Sequence, residues 1–308
     1  MVGDVCVDVI ARSHGPLHPG SDTDASIRVT GGGAGGNIAA WLATLGVPVT
    51  LVARVGDDAA GVAQAAELRG YGVRCAFTID PTAPTGAVVS LVSANDRTML
   101  ADRGANLGLA PADLPVFPPG PPGPPGPPVF PSGPPGPPGA HLHLSGYTLL
   151  HPGPRPAGLA ALRAARAAGA TVSVDPASAA PLATVGAAAF LAWTAGADLL
   201  LPNEAEAAVL AGTPDPRAAA LSLARHYGAV ALTLGPGGAL WAADGEVTHV
   251  PAVPVDAAQV VIDPTGAGDA FGAGLLAAWL TGSTGAAALR RGVETAATAV
   301  TRLGARPM

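Results

Sequence analysis

The strongest constraint on the fold is an alternation of two periodicities along the chain. Short apolar runs suited to strands (VTLVA at 49–53, HLHLS at 141–145, TVSVD at 171–175, ADLLLPN at 197–203, AVALTLG at 229–235) are separated by Ala- and Leu-rich stretches with helical spacing. A strand buried on both faces reads as a continuous apolar run, and a parallel neighbour needs a crossover helix. This order therefore predicts βαβ units around a mostly parallel sheet covered on both faces. The pattern places helices over 37–45, 59–69, 156–168, 204–211, 216–227, 267–280 and 286–303. With 308 residues, 49% of them hydrophobic, the chain can bury a sizeable core as one large α/β domain or two smaller ones.

Three segments break the alternation. Residues 85–100, TGAVVSLVSANDRTML, hold two β-prone runs around Ala94-Asn95-Asp96, the pattern of a hairpin. Residues 11–30 are polar and rich in Gly, Pro and Asp before SIRVT, and they leave the first strand without a crossover helix. Together the two suggest a small β-layer projecting from the sheet, a candidate lid; two unrelated surface excursions are the plainer alternative. The third segment, Pro115–Gly139, repeats Gly at every third position as collagen does. Val129-Phe130 interrupt that register, and a few triplets cannot sustain a triple helix. It reads as a polyproline-rich, poorly ordered surface insertion, after which strand and helix patterns resume at HLHLSGY.

Composition removes several functions. Charged residues make up 12% of the chain and the net charge is −6, so there is no basic face to follow a nucleic-acid backbone or an anionic membrane. The opening MVGDVCVDVI lacks a basic region, and no apolar run approaches the roughly 20 residues that span a bilayer. Cys6 and Cys75 show no CxxC spacing, which argues against a zinc site and a disulfide framework. A soluble protein in a reduced, cytoplasmic setting is expected.

Two glycine-rich turns carry the chemistry. GGGAGGNIAAWLATLG, Gly31–Gly46, lets a ligand approach the backbone closely and offers it the unpaired N–H groups of the following helix. Gly31, Gly33 and Gly36 satisfy GxGxxG, and Asp57 follows at about the 20-residue spacing of a dinucleotide fingerprint. That fingerprint belongs in the first βα turn of its fold, whereas here a strand and a long polar excursion come first. Asn37 adds a donor and an acceptor suited to hydroxyls. The second turn, DPTGAGDAF at 263–271, can aim the amides of Gly266, Ala267 and Gly268 at one point, helped by the positive end of the helix that starts there. Such a turn receives a phosphoryl group, and Asp269 is placed to take the proton of a hydroxyl attacking the same phosphorus. An acidic cap on a helix start is the other use of a bare GAGD. Asp263, ahead of the turn, either fixes its shape or binds a cation.

The chain resembles the ribokinase-like carbohydrate kinases, the PfkB family, over nearly its whole length. The resemblance rests on GGAGGNIAAWLATLG with its downstream RVGDD, on DPTGAGDAF, and on LSGYTLL at 144–150, PNEAE at 202–206 and TLGPGG at 233–238 between them, in that order. It implies one ribokinase-like three-layer α/β/α domain over 1–308 with a β-sheet lid formed by about 11–30 and 85–104. It also implies ATP-dependent transfer of the γ-phosphoryl group to a primary hydroxyl of a sugar, with magnesium required and potassium as activator. Asp269 matches the family's catalytic base, and Gly266, Ala267 and Gly268 its anion hole. Asp263 and Thr265, with the carbonyls of Ala299, Arg302 and Gly304, match the monovalent-cation site. Asn203 and Glu206 match the NxxE motif that organises magnesium and phosphate, largely through water, while Thr233, Gly235 and Gly238 line the nucleotide side.

For the acceptor, Asp8 at the end of the first strand, Gly33, Asn37 and Asn106 match positions that contact sugar hydroxyls. Asp4 and Cys6 point the other way from their neighbours in the alternating strand and stand outside that set. Arg103 either counters phosphate charge or is a solvated lid residue. The chain departs from the family in three places: Ala34 stands where ribokinases proper carry Lys, Pro264 where Thr is common, and the chain begins inside the expected first strand, which suggests a shortened start. A nucleoside kinase of the same fold and a sugar-binding regulator without chemistry are the alternatives. The intact Asp269, Asn203 and Glu206 set argues against the regulator. A homodimer formed through the β-lid is also implied.

Overall fold

In the computed structural model, which describes residues 1–18, 20–93, 96–116, 140–254 and 264–308, the alternating pattern becomes a layered α/β fold. The elements in chain order are β1 (Cys6–Ser13), β2 (Ala25–Gly32), α1 (Ala34–Thr44), β3 (Thr50–Gly56), α2 (Ala59–Gly70), β4 (Arg74–Asp80), β5 (Gly86–Ser93), β6 (Asp96–Asp102), β7 (His141–Ser145), α3 (Tyr147–Leu150), α4 (Arg155–Ala167), β8 (Thr171–Asp175), α5 (Ala179–Val185), α6 (Ala187–Thr194), β9 (Leu199–Leu200), α7 (Glu204–Ala211), α8 (Pro216–Leu223), β10 (Ala229–Thr233), β11 (Ala239–Ala243), β12 (Glu246–Val250), α9 (Ala267–Trp279) and α10 (Gly285–Val300).

The central sheet runs β12-β11-β10-β9-β8-β7 and continues through β3-β4. Residues 1–3 form the seam: Val2 bridges Leu144 on one side and Val52 on the other. Its N–H donates to the His143 carbonyl at 3.1 Å, and Gly3 N–H donates to the Val52 carbonyl at 3.1 Å. β7 to β10 and the β3–β4 pair are parallel, while β11 and β12 close one edge in antiparallel fashion. Leu199 and Leu200, neighbours in β9, fall into different apolar layers, as successive strand residues must. Leu200 joins Leu142, Leu144, Leu162 and Phe190 on one face. Leu199 joins Ile38, Trp41, Phe271 and Leu275 on the other. Each such fully buried side chain contributes about 1.5–3 kcal/mol of burial.

The two β-prone excursions pair into a separate four-stranded sheet, β2-β1-β5-β6. The expected hairpin is β5–β6, in register from Ala87 opposite Asp102 to Ser93 opposite Asp96; its turn residues 94 and 95 lie outside the described residues. One expectation needs correcting. Asp8 does not end the first strand: it is the third residue of β1, which belongs to the small sheet and pairs with β2 and β5. CVDVIARS holds no turn residue to stop it, so one extended run serves two sheets.

Other differences are local. The helix expected over 216–227 ends at Leu223, because Tyr227 turns inward and shares a 2.7 Å hydrogen bond with the Thr194 hydroxyl in the core. α3, α5 and α6 were not anticipated: α3 is four residues long, and α5 and α6 are separated only by Gly186 at φ 91°. The Pro/Gly-rich reading of 115–139 falls on residues of which 117–139 lie outside the described ones. Both cysteines are free, and among the described residues no helix is long and apolar enough to cross a membrane.

The RVGDD turn joins the two sheets. Asp58 caps α2 by accepting the Gly61 N–H at 2.7 Å, and its carboxylate also takes the N–H and the hydroxyl of Thr85, each at 2.7 Å, just before β5. Thr85 in turn accepts the Gly56 N–H at 3.0 Å. Asp57 is exposed. Replacing Asp58 with Ala should therefore lower stability by about 2–3 kcal/mol, a lost cap plus charge-assisted bonds. Asp57→Ala should stay within about 0.5 kcal/mol. Urea midpoints at unchanged m-value check both.

Candidate active site

Gly266 is the N-cap of α9, with left-handed φ 75° and ψ 4°. A Cβ there would stand 2.4 Å from the Ala305 Cβ, so both conformation and crowding require glycine. Gly268 has open space where a side chain would be, which suits an amide that must meet a ligand. Ala267 differs from expectation: its N–H folds back onto the Pro264 carbonyl at 3.2 Å and is occupied within the turn.

Asp269 lies in the first turn of α9, half-buried, and its Oδ2 accepts the Asn37 amide N–H at 2.8 Å. Burial drives its carboxyl well above the usual carboxylate range; the Asn37 bond opposes this, and the nearby carboxylates of Asp175, Asp4 and Asp8 reinforce it. A base whose affinity for a proton is raised in this way is better matched to a hydroxyl than an ordinary aspartate. Asn37 itself is buried in α1, and its Nδ2 reaches α9 across a separation of 232 residues. Asp8 comes to the same cleft: its carboxylate packs on the Gly32 Cα so closely that a Cβ would lie 2.1 Å from Oδ1.

Gly33 caps α1 at φ 85°, where a Cβ would meet the Asp4 carbonyl at 2.7 Å. Asp4 proves more central than its strand position suggested. It is 3% exposed and receives the Gly35 N–H at 3.3 Å and the Ser145 hydroxyl at 3.1 Å. The Arg103 Nη1 stands 3.5 Å away. Arg103 is no solvated lid residue, since its guanidinium lies 3.7 Å above the centre of the Tyr147 ring. Asn106 also departs from expectation. Its Oδ1 accepts the Val5 N–H at 3.0 Å, and its Nδ2 donates to the carbonyls of Val5 at 2.9 Å and Arg103 at 3.0 Å. Both donors are spent inside the protein, riveting the turn Gly104–Gly108 to the segment just ahead of β1.

Asn203 caps α7 and forms a reciprocal box with Glu206. Asn203 Oδ1 accepts the Glu206 N–H at 2.9 Å, while the Glu206 carboxylate accepts the Asn203 N–H at 2.9 Å and its Nδ2–H at 2.7 Å. Burial, with the Asp175 charge added, pushes the Glu206 carboxyl up to about 8. Asp175, which closes β8, is pushed up to about 6, chiefly by burial. Sequence reasoning missed Asp175, although an Asp at the carboxyl end of a parallel strand is a usable signal. It is held by the N–H of Ala177 at 2.7 Å, and Ala177 has φ 74°, a strained value for a residue with a Cβ. A buried carboxyl whose proton affinity is raised further by a neighbouring carboxylate, as Glu206 is by Asp175, is donor chemistry that a hard cation such as magnesium relieves.

Thr233 ends β10 and bridges Asn203, which sets the TLGPGG turn beside the Asn203–Glu206 corner. In that turn Gly235 has φ 53° and Gly238 φ 92°. Asp263 lies outside the described residues. Gly266 packs on Ala305, so Thr265 and Gly304 each lie one residue from that contact, and the Ala299 carbonyl accepts the Arg302 N–H at 3.1 Å.

The box separates two roles by mutation. Asn203→Ala removes the cap and strands a buried carboxyl, and should cost about 2 kcal/mol or more in thermal melts. Glu206→Gln replaces a carboxyl already inclined to be neutral and should cost within roughly 1 kcal/mol, yet lower turnover at least about tenfold if Glu206 organises a cation.

A model of the pfkB family of carbohydrate kinases matches residues 1–118 and 137–308, so 119–136 stand outside the family pattern. A fructokinase of Klebsiella pneumoniae is 31% identical over 296 residues, covering 90% of this chain and 82% of that one. An ATP-dependent ribose-1-phosphate kinase of Halopiger xanaduensis is 32% identical over 276 residues, covering 85% and 79%. Among solved structures, adenosine kinase from Sinorhizobium meliloti superposes with a TM-score of 0.83 at 24% identity, covering 100% of this chain and 94% of that one. With the family model matched over nearly the whole chain and Asp269 and Asn37 within hydrogen-bonding distance, the chain belongs to the pfkB family of carbohydrate kinases, phosphotransferases acting on sugars or nucleosides.

Proposed function

We propose that this chain is an ATP-dependent sugar kinase that phosphorylates a primary hydroxyl. The observation that carries the reading is the Asn37–Asp269 pair set at the N-terminus of α9. The acceptor hydroxyl gives its proton to Asp269, and the resulting oxygen attacks the γ-phosphorus of ATP in line with the departing ADP. The amides of Gly266 and Gly268, with the positive end of α9, meet the charge spreading over the transferred group. Asp8 and Asn37 hold the acceptor by its hydroxyls, and Gly33 lets its ring approach the backbone. Asn203, Glu206 and Asp175 would hold magnesium through water, where it would supply neutralisation of phosphate charge; Thr233, Gly235 and Gly238 border the nucleotide. Thr265, Ala299, Arg302 and Gly304 would hold potassium beside the anion-binding turn.

The regulator reading is disfavoured because a binding-only protein has no use for a desolvated base. A nucleoside kinase is the second reading, favoured by one particular: Tyr147 with Arg103 stacked on it forms an aromatic wall beside Asp4, which could also face a base. The exposed Ile27 and Val29 of the edge strand β2 suit a homodimer paired through the small sheet.

Asp269→Asn should reduce kcat by at least about a hundredfold while ATP and acceptor affinities change only severalfold. Release of ADP, followed across ribose, fructose, 2-keto-3-deoxygluconate, ribose 1-phosphate, adenosine and pseudouridine, identifies the acceptor. Near wild-type turnover by the Asn variant would remove Asp269 as base. Turnover confined to nucleosides would replace the sugar reading with the second one.

A further inference from the structure

We propose that Arg306 is a positioning residue for catalysis: it locks the Asn37 amide in the one orientation that presents an N–H to Asp269. The proposal rests on the reading of Asp269 as base. Arg306 follows α10 and is only 6% exposed. Its Nε lies 3.4 Å from Asn37 Oδ1, its Nη2 donates to the Gly32 carbonyl at 2.9 Å, and its Nη1 stands 3.0 Å from Glu67 Oε2. A guanidinium can only donate. The Asn37 atom facing it must therefore be the oxygen, which leaves the NH2 to face Asp269 Oδ2 at 2.8 Å. With the amide flipped, two donors would face each other on one side and two acceptors on the other.

The glycine loop is shaped around this side chain. A Cβ at Gly31 would lie 2.1 Å from Arg306 Nη1, and one at Gly36 would lie 2.7 Å from Nη2. The backbone bearing Arg306 is itself fastened: Trp41 Nε1 donates to the Ala305 carbonyl at 2.9 Å, the Tyr71 hydroxyl donates to the Pro307 carbonyl, and Ala305 packs on Gly266. A single short segment thus touches the acceptor loop, the amide that holds the base, and the first residue of the anion-binding turn.

The ionised form of Asp269 is opposed first by burial and then by the carboxylates of Asp175 at the end of β8, Asp4 ahead of β1 and Asp8 on β1, and is favoured by the Asn37 bond. Loosening Asn37 should move the acid limb of the rate profile to higher pH. The test compares Arg306→Met, Arg306→Lys and Asp269→Asn with the wild-type chain, using ATP and magnesium with the best acceptor from the panel. Arg306→Met should lower kcat about ten- to a hundredfold, as a misplaced reacting group does, and leave KM for ATP within roughly threefold. It should shift the acid limb of kcat/KM upward and regain part of its turnover when low concentrations of guanidinium are added. Arg306→Lys should show the same shift to a smaller degree, and decides the matter if the Met variant does not fold. A folded variant that keeps the wild-type acid limb, or loses thermal stability alone, overturns the proposal. Full turnover by Asp269→Asn would instead overturn the assignment of the base, a separate outcome.

Discussion

A single hydrogen bond, from the Asn37 amide to the Asp269 carboxylate, links the two glycine-rich turns that lie furthest apart in the sequence. It requires α1 and α9 to start at the same place with their N-termini facing the same cleft. The packing beneath enforces that requirement: Ile38 and Trp41 of α1 and Phe271 and Leu275 of α9 belong to one buried cluster with Leu199 of the central sheet. Hydrophobic burial supplies the alignment, and the polar pair fixes its final fraction of an ångström. Two positive helix ends thereby converge on one volume, where acidic side chains are unusually crowded.

That crowding is made tolerable by absent side chains. In Gly31–Gly36 the missing atoms make room for particular neighbours: Gly32 for the Asp8 carboxylate, Gly33 and Gly35 for the Asp4 backbone, Gly31 and Gly36 for a guanidinium. Chain flexibility is the lesser reason for glycine here, and close approach the greater one. The same economy appears at Gly266, where α9 begins against Ala305. Substituting any of these residues displaces a functional group directly.

The fold was legible because its cause is periodic. Continuous apolar strands between amphipathic helices can hardly be arranged otherwise, and the resemblance carried by the two glycine signatures pointed the same way. What escaped was non-periodic or non-local. β9 has only two residues yet anchors both apolar layers, and β1 looks like one strand because locally it is one. In the site, Asp269, Asn37, Asn203 and Glu206 stood in motifs and could be named. Asn106 matched a motif but spends its donors on Val5 and Arg103, a fact that depends on what lies opposite. Asp175, Asp4 and Arg306 draw their importance from partners 31 to 274 positions away, and no local pattern encodes such distances.

The passage of one extended run from the central sheet at Val2 into the small sheet at Cys6 has a mechanical corollary. Only Gly3, Asp4 and Val5 lie between the two ladders, and Asp4 is clamped by Gly35, Ser145 and Arg103. Along this run, any tilting of the small sheet against the central one must therefore pass as torsion through three peptide units whose middle member is already held from three sides.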